Sequence, residues 1–311
     1  VSADTVKKVP DDHFFLFKSC MAGSTYPGIE LATKYVLDEI RAHYTDDPRQ
    51  SSCAGFAVYT GVMPLETSLA LNARNLSLAS RTQDNNVICL CPSSYSNLQY
   101  AKKQITKDEE LKAYTSGVLR QIGMSMDCSP SVTHASDVFR ACLGRIRPRA
   151  VRSLKGVRAA THHGCHYYKI FFPDTSPGNY ERPMVLDDLL HAFECEVVEY
   201  TERGLCCGRG FHGTMLDQEY TLSTLRRKFA SIARAKPDVI VTQCPGCTFN
   251  LDYYQESLAK ELGIPLDIPV LYFSELLALL LGADPYEIGL DMHAVPVEPF
   301  LEKIGIPGVR K

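Results

Sequence analysis

Cys165, the adjacent pair Cys206-Cys207 with Gly208 behind it, and the turn Cys244-Pro245-Gly246-Cys247 are the residues whose types and spacing carry chemistry in this sequence. A Cys-x-x-Cys turn brings two thiolates to one centre, and Gly246 lets the backbone turn beneath it. Structural zinc is satisfied by four ligands in a tetrahedron. A cubane iron–sulfur cluster likewise takes four cysteines. The five thiols are one too many for either. An adjacent pair is also awkward around a single ion, because neighbouring side chains diverge unless the backbone bends, a bend that Gly208 eases. Two neighbouring thiols are easier to use on an extended, multi-iron object. Spacing therefore favours an iron–sulfur cluster and leaves zinc, a redox disulfide and inert thiols as alternatives.

The same pattern occurs earlier in weakened form. Cys207 lies 154 residues after Cys53, and Cys206 the same distance after Ser52. Cys244, Cys247 and Asn250-Leu251 lie 153 residues after Cys91, Ser94 and Asn97-Leu98. Cys165 answers Cys20 once the intervening loop is about eight residues shorter in the first copy. Several matches at one offset mark an internal repeat. The expected domains are 1–150, with an incomplete cysteine set, and 151–311, with a complete set and a carboxy-terminal arm. The boundary falls in the basic stretch from Arg145 to Arg158.

The elements that must position these thiols are short. Phe14-Phe15-Leu16-Phe17 reads as a strand ending near Cys20, and Val87-Ile88 as a strand before Cys91. Asp238-Val239-Ile240-Val241-Thr242 is a β-branched strand running straight into the Cys244 turn. Pro27 opens a helical pattern with Ile29, Ala32, Val36 and Ile40 on one face. A second helix is expected from Thr248 to Leu262, with Gly263 as its stop. Strand, cysteine turn and helix repeat, which predicts an α/β fold with a parallel sheet in each domain and cysteine turns at the strand ends. The apolar run Leu276 to Leu281, in a helix from near Ser274, reads as core or subunit interface. The tail from Val295, with Pro296, Pro299 and Pro307, reads as an extended arm laid on a partner.

Composition removes several function classes. The 33 Lys+Arg against 36 Asp+Glu leave a net charge of −3, no surplus for nucleic acid or an anionic membrane. With 45% hydrophobic and 22% charged residues in 311, the chain is ordinary for a soluble protein of two domains. Its longest apolar stretch is far short of the ~20 residues that span a bilayer. Val1-Ser2-Ala3-Asp4 lacks the basic-then-apolar pattern of a signal peptide, so a cytoplasmic protein is expected. In that compartment disulfides explain twelve cysteines poorly, and metal, cluster or redox chemistry explains them better. A phosphate loop and a ferredoxin-type cysteine run are not found in the sequence.

The second half, through His163-Gly164-Cys165-His166-Tyr167, Cys206-Cys207-Gly208 and Cys244-Pro245-Gly246-Cys247, resembles the cysteine-rich CCG domain. The whole chain, from Phe14 to about Val297, resembles the family of heterodisulfide reductase B-type subunits, with its sulfur-oxidising branch an equally good match. The resemblance implies that Cys165, Cys206, Cys207, Cys244 and Cys247 bind a noncubane [4Fe-4S] cluster at which thiol/disulfide redox chemistry occurs. It implies a small heterodisulfide or a carrier-bound thiol as substrate. Electrons then pass through ferredoxin-like (C-type) and flavin-bearing (A-type) subunits of the same complex, and any membrane association is through such partners. Relatives in succinate dehydrogenases imply quinone-linked electron transfer as an alternative, and a zinc-bound scaffold is the alternative without redox chemistry.

The first half departs from that pattern: Ser52 and Ser94 replace two cysteines, and Ala54 replaces the glycine. A serine oxygen is a weaker iron ligand than a thiolate. A smaller iron–sulfur centre on Cys20, Cys53, Cys91 and Cys89 is the favoured expectation, with a different metal or none as alternatives. Cys89, on a strand, equally suits a small packing residue. Cys128, Cys142 and Cys195 have no repeat partner and read as packing thiols. His162, His163, His166 and His212 flank the cysteines and suit either hydrogen bonds to a cluster or satisfied loop positions. Lys169 suits an anion anchor or, by default, an exposed lysine.

Overall fold

Four consecutive apolar side chains, Phe14 to Phe17, are all buried, which requires a strand covered on both faces. In the computed structural model, which describes residues 13–307 except 56, 59, 83, 170–181 and 210–216, they form β1 (His13–Phe17). β2 (His43–Thr45), β3 (Asn86–Cys89) and β4 (Ser131–His134) complete a parallel sheet in the order β2-β1-β3-β4. β5 (Arg158–His162), β6 (Glu196–Val197), β7 (Val239–Thr242) and β8 (Val270–Tyr272) build a second parallel sheet in the same relative order, β6-β5-β7-β8. The chain is thus α/β with a repeated four-stranded parallel sheet. In each sheet the strand order reverses between the two central strands, and a crevice opens there beyond their carboxyl ends.

The two lobes share helices reciprocally. The helix Phe273–Leu281 after β8 packs on Gly28–Glu39 after β1, and Ala135–Ala141 after β4 packs on Val185–His191 after β5. At the first seam the Thr33 hydroxyl donates to Ser274 Oγ at 3.0 Å. At the second, Arg140 pairs with Asp188 at 2.7 Å, and Tyr167 donates to Asp137 at 2.6 Å. One hydrophobic cluster runs from Phe14 through Ile146 to Leu281 and Ile306, so both lobes draw on a common core. Leu276 to Leu281 is therefore core: its apolar sequence on all sides of the helix reflects burial between lobes.

Two sequence expectations change. The helix expected from Thr248 to Leu262 begins earlier, at Pro245, and is divided into Pro245–Tyr253 and Gln255–Leu262. The Cys244 turn is thus itself a helix start, with proline at the first helical position where its missing N–H costs nothing. Gly263 does end the second piece, in the left-handed conformation. The tail expected as an extended arm folds back instead. Backbone N–H groups of Ala294 and Val295 donate to Asp252, and the helix Glu298–Lys303 buries Phe300 and Leu301 against the core.

Candidate metal centre

Cys20 follows β1 and Cys91 follows β3; Cys165 follows β5 and Cys244 follows β7. Each pair therefore stands at the crevice where its sheet changes direction. The two crevices face one another. The Tyr272 hydroxyl of the second lobe donates to the Leu90 carbonyl of the first at 2.8 Å, and Ser136 Oγ donates to Gln243 at 3.2 Å. At Gly164 the lobes approach so closely that a Cβ would lie 2.7 Å from Pro92 Cγ and 3.0 Å from Cys244 Cβ. The result is one cavity of about 350 Å³ lined by both cysteine sets: Cys165, Cys206, Cys207, Cys244 and Cys247 from one lobe, Cys20, Cys53 and Cys91 from the other.

Within it the sulfurs form a continuous run. Cys207 Sγ donates to Cys247 Sγ at 3.1 Å, Cys206 interacts with Cys165 and Cys207, and Cys247 interacts with Cys244. Cys244 in turn bonds Cys91 of the other lobe. Buried thiols this close cannot all ionise, so their protons are shared unequally. Hydrogen bonds from Cys165 and Cys207 hold Cys206 below the usual thiol range. Those from Cys247 and Cys91 do the same for Cys244. Cys165 and Cys207 are pushed up by their bonds to Cys206 together with burial, and Cys247 chiefly by its bond to Cys207. Cys244 also caps a nine-residue helix, whose N-terminus favours a thiolate. A soft metal is what such a set suits, since metal binding releases the remaining protons.

The backbone supports the pair as the sequence suggests. Gly208 has φ +80, and a Cβ there would meet Thr221 atoms at 3.1 Å. Asn250 donates to the Cys207 carbonyl at 3.0 Å. Gly246 plays a different part from the one expected. It lies inside the helix, and a side chain there would press on Arg209 at 3.1 Å, so glycine clears the space above the sulfurs.

The first lobe repeats this frame with fewer sulfurs. Ala54 takes φ +64, the same left-handed bend as Gly208, without glycine's freedom. Asn97 donates to the Gly55 carbonyl at 2.7 Å, and Ser94 Oγ lies 3.4 Å from Cys53 Sγ. Ser52 and Ser94 line the cavity where the second lobe has cysteines. Cys89, expected as a fourth ligand, is fully buried at the end of β3 and does not line the cavity; its thiol packs in the core, and burial pushes it well up. Cys142 and Cys195 are buried and Cys128 partly so, all away from the cavity, with burial raising Cys128 to about 11 and Cys195 to about 12.

The flanking histidines separate. His166 lines the cavity with Nδ1 3.4 Å from Cys165 Sγ, and burial lowers its basicity. His163 accepts from the Leu186 N–H at 3.2 Å. His162 has a ring nitrogen within 4.8 Å of the Cys207 and Cys247 sulfurs, forming a buried His/Cys cluster with the character of a metal site. His212 lies outside the described residues. Lys169 donates to the Gly204 carbonyl at 2.7 Å, away from the cavity.

Sequence reasoning did not single out Arg209 or Lys228. Arg209 lines the cavity with its guanidinium 4.4 Å over the Phe249 ring. Lys228 is 0% exposed and donates to the Glu202 carbonyl at 2.6 Å. The signal for Lys228 was present: it falls on the buried stripe Thr221, Leu225, Phe229, Ile232 of the helix Gln218–Ala235, where a charge is out of pattern.

Comparison with known proteins agrees with this architecture. A family model described as a cysteine-rich domain, CCG, matches residues 14–99 and again 159–252. The B-type subunit of the ferredoxin:CoB-CoM heterodisulfide reductase of Methanosarcina acetivorans is 35% identical over 97% of this chain and 99% of its own length. The 8-methylmenaquinol:fumarate reductase membrane anchor subunit of Wolinella succinogenes is 28% identical over 78% of this chain and 84% of its own. A crystal structure of a hypothetical protein from Helicobacter pylori superposes with a TM-score of 0.68 at 13% identity. It covers 93% of this chain, which spans about half (53%) of that protein, and the likeness is one of fold.

Proposed function

The chain belongs to the family of heterodisulfide reductase B-type subunits, built from tandem cysteine-rich CCG domains, and on that premise we propose that it is the iron–sulfur subunit of a heterodisulfide reductase-like complex. Cys165, Cys206, Cys207, Cys244 and Cys247 are the proposed ligands of one noncubane [4Fe-4S] cluster. The observation that carries this reading is that all five thiols line a single cavity, with Cys207 Sγ 3.1 Å from Cys247 Sγ. A bound cluster supplies one-electron steps and iron positions open to substrate sulfur.

The substrate proposed is a small heterodisulfide, the class that the Methanosarcina relative is named for, with a carrier-bound thiol as the other candidate. The chain's own residues prepare its entry. Arg209, held over Phe249, gives the cavity a fixed positive edge. His166, kept neutral by burial, is placed to exchange a proton at Nδ1 beside Cys165 as a thiol leaves. Cys20, Cys53 and Cys91 face the same space as three further thiols. A separate four-thiolate centre in the first lobe is not proposed, because Cys89 points into the core. Electrons are proposed to pass through ferredoxin-like (C-type) and flavin-bearing (A-type) subunits.

A second reading, electron transfer to or from a quinone, is favoured by the likeness to the Wolinella protein. Among the described residues no helix is long and apolar enough to cross a membrane, so contact with a bilayer would run through a partner. Metal and sulfide analysis of anaerobically purified protein tests the cluster itself. Equal iron and inorganic sulfide, about four of each per chain for a [4Fe-4S] centre, is expected; zinc without sulfide would remove both redox readings. Disulfide against quinone reduction by the same complex then separates them.

A further inference from the structure

A buried ammonium is costly unless an anion or a full set of acceptors meets it. Lys228 has no carboxylate partner among the described residues: the nearby Glu202 carboxylate is committed to Arg227 at 2.9 Å, and only its carbonyl faces the lysine. A second contact is His162 Nδ1, 3.4 Å from Nζ, and the Tyr200 ring lies below at 5.5 Å. The same imidazole has a ring nitrogen within 4.8 Å of the Cys207 and Cys247 sulfurs, so His162 lies in contact with both the ammonium and the thiols' cluster. Its charge therefore makes sense against sulfur.

We propose that Lys228 is the counter-charge of the five-cysteine centre, a positioning residue that offsets its negative charge from beneath and fixes the tautomer of His162. The proposal rests on the reading of those cysteines as iron–sulfur ligands. An ammonium only donates, so the His162 Nδ1 it meets must accept, and the ring proton resides on Nε2. His162 thereby carries its N–H on Nε2, in a ring that has a nitrogen within 4.8 Å of the Cys207 and Cys247 sulfurs. A fixed positive charge and an N–H donor near cluster sulfur both favour the reduced state and raise the reduction potential.

The first lobe supplies the contrast. Its residue at the matching offset, 154 positions earlier, is Arg74, also basic, on the helix Leu65–Arg81. Arg74 acts on the Asp47 carboxylate, which its charge helps hold below the usual range after the dominant bond from Arg49. Arg74 is only half-buried, whereas Lys228 is fully buried beside the complete cysteine set.

The test is a potentiometric titration of the assembled complex, followed by electron paramagnetic resonance, on wild type, Lys228→Met and Lys228→Arg. Lys228→Met keeps length and apolar stem and removes the charge. It is expected to keep iron and sulfide and to move the midpoint potential negative by about 59 mV or more, a tenfold change in the oxidised-to-reduced ratio for a one-electron couple. Lys228→Arg is expected to restore most of the wild-type value. Should Lys228→Met not fold, Lys228→Gln, which can still donate to the Glu202 carbonyl, is read in the same way. An unchanged potential in a neutral variant of full iron content overturns the inference and leaves the proposed function standing. A wild-type protein without iron and sulfide overturns the proposed function instead.

Discussion

Cys244-Pro245-Gly246-Cys247 and Cys91-Pro92-Ser93-Ser94 occupy the same place in two copies of one fold. Each follows the third strand of its sheet, starts a helix with proline at its first position, and lines the same cavity. One turn ends in a thiol 3.1 Å from another, and the other in a hydroxyl 3.4 Å from Cys53. The frame outlasts the cysteines. It does so because the strands, the left-handed bends and the reciprocal helix packing are needed to bury the common core, whereas the sulfurs are needed only by the centre.

The largest effects should come from exchanging sulfur between the lobes. Cys207→Ser or Cys244→Ser is expected to abolish iron and sulfide binding and lower sulfur turnover by more than ~100-fold, since a serine oxygen replaces a thiolate iron ligand. Cys91→Ser should keep full iron content but alter the visible and magnetic spectra through the bond to Cys244; loss of all iron there would make Cys91 a ligand and break the distinction between lobes. In the opposite direction, Ser52→Cys with Ser94→Cys rebuilds the five positions and is expected to raise iron per chain roughly twofold.

The bends should respond with opposite signs. Gly208→Ala forces a Cβ into the left-handed region and against Thr221, and should cost about 2 kcal/mol or more in denaturant unfolding. Ala54→Gly relieves an existing strain at φ +64 and should gain up to about 1 kcal/mol.

Much of this contrast is legible in the sequence, because cysteine positions at a fixed offset survive any uncertainty about helix ends. Phe14 to Phe17 and Val239 to Val241 announce their strands through unbroken apolar runs. That Cys91 meets Cys244 is not legible, since it depends on how two lobes dock, and no local pattern encodes that contact. Cys89 misleads for a related reason: two residues from Cys91, it shares its neighbourhood in sequence, but its side chain ends in the core. The tail misleads because its prolines suggest extension, while burial of Phe300 and Leu301 and the Asp252 bonds decide its path.

A smaller effect concerns the seam at that tail. His293 sits between Glu275 at 3.4 Å and Asp252 at 3.6 Å, with the Tyr26 hydroxyl of the first lobe donating to Asp252 at 2.7 Å. Burial opposes its charge, but the two carboxylates, Glu275 foremost, outweigh burial and raise it to about 10. A raised histidine stabilises the fold fully below its unfolded value of about 6.5, and that contribution is lost as pH rises through about 10. Thermal stability should therefore fall on the alkaline side, and His293→Gln should flatten that slope; an unchanged alkaline limb would count against the buried ion cluster. Smallest of all, Thr33→Val removes one buried bond across the lobes and should cost about 1 kcal/mol in denaturant unfolding.

The central claim is that five sulfurs of one lobe hold a multi-iron group, and anomalous diffraction from anaerobically grown crystals, collected on both sides of the iron edge, tests it most directly. The account predicts a single strong iron peak against Cys165, Cys206, Cys207, Cys244 and Cys247, with none of comparable size bounded by Ser52 and Ser94. A signal at the zinc edge alone, or these side chains joined in disulfides with no metal between them, would contradict it.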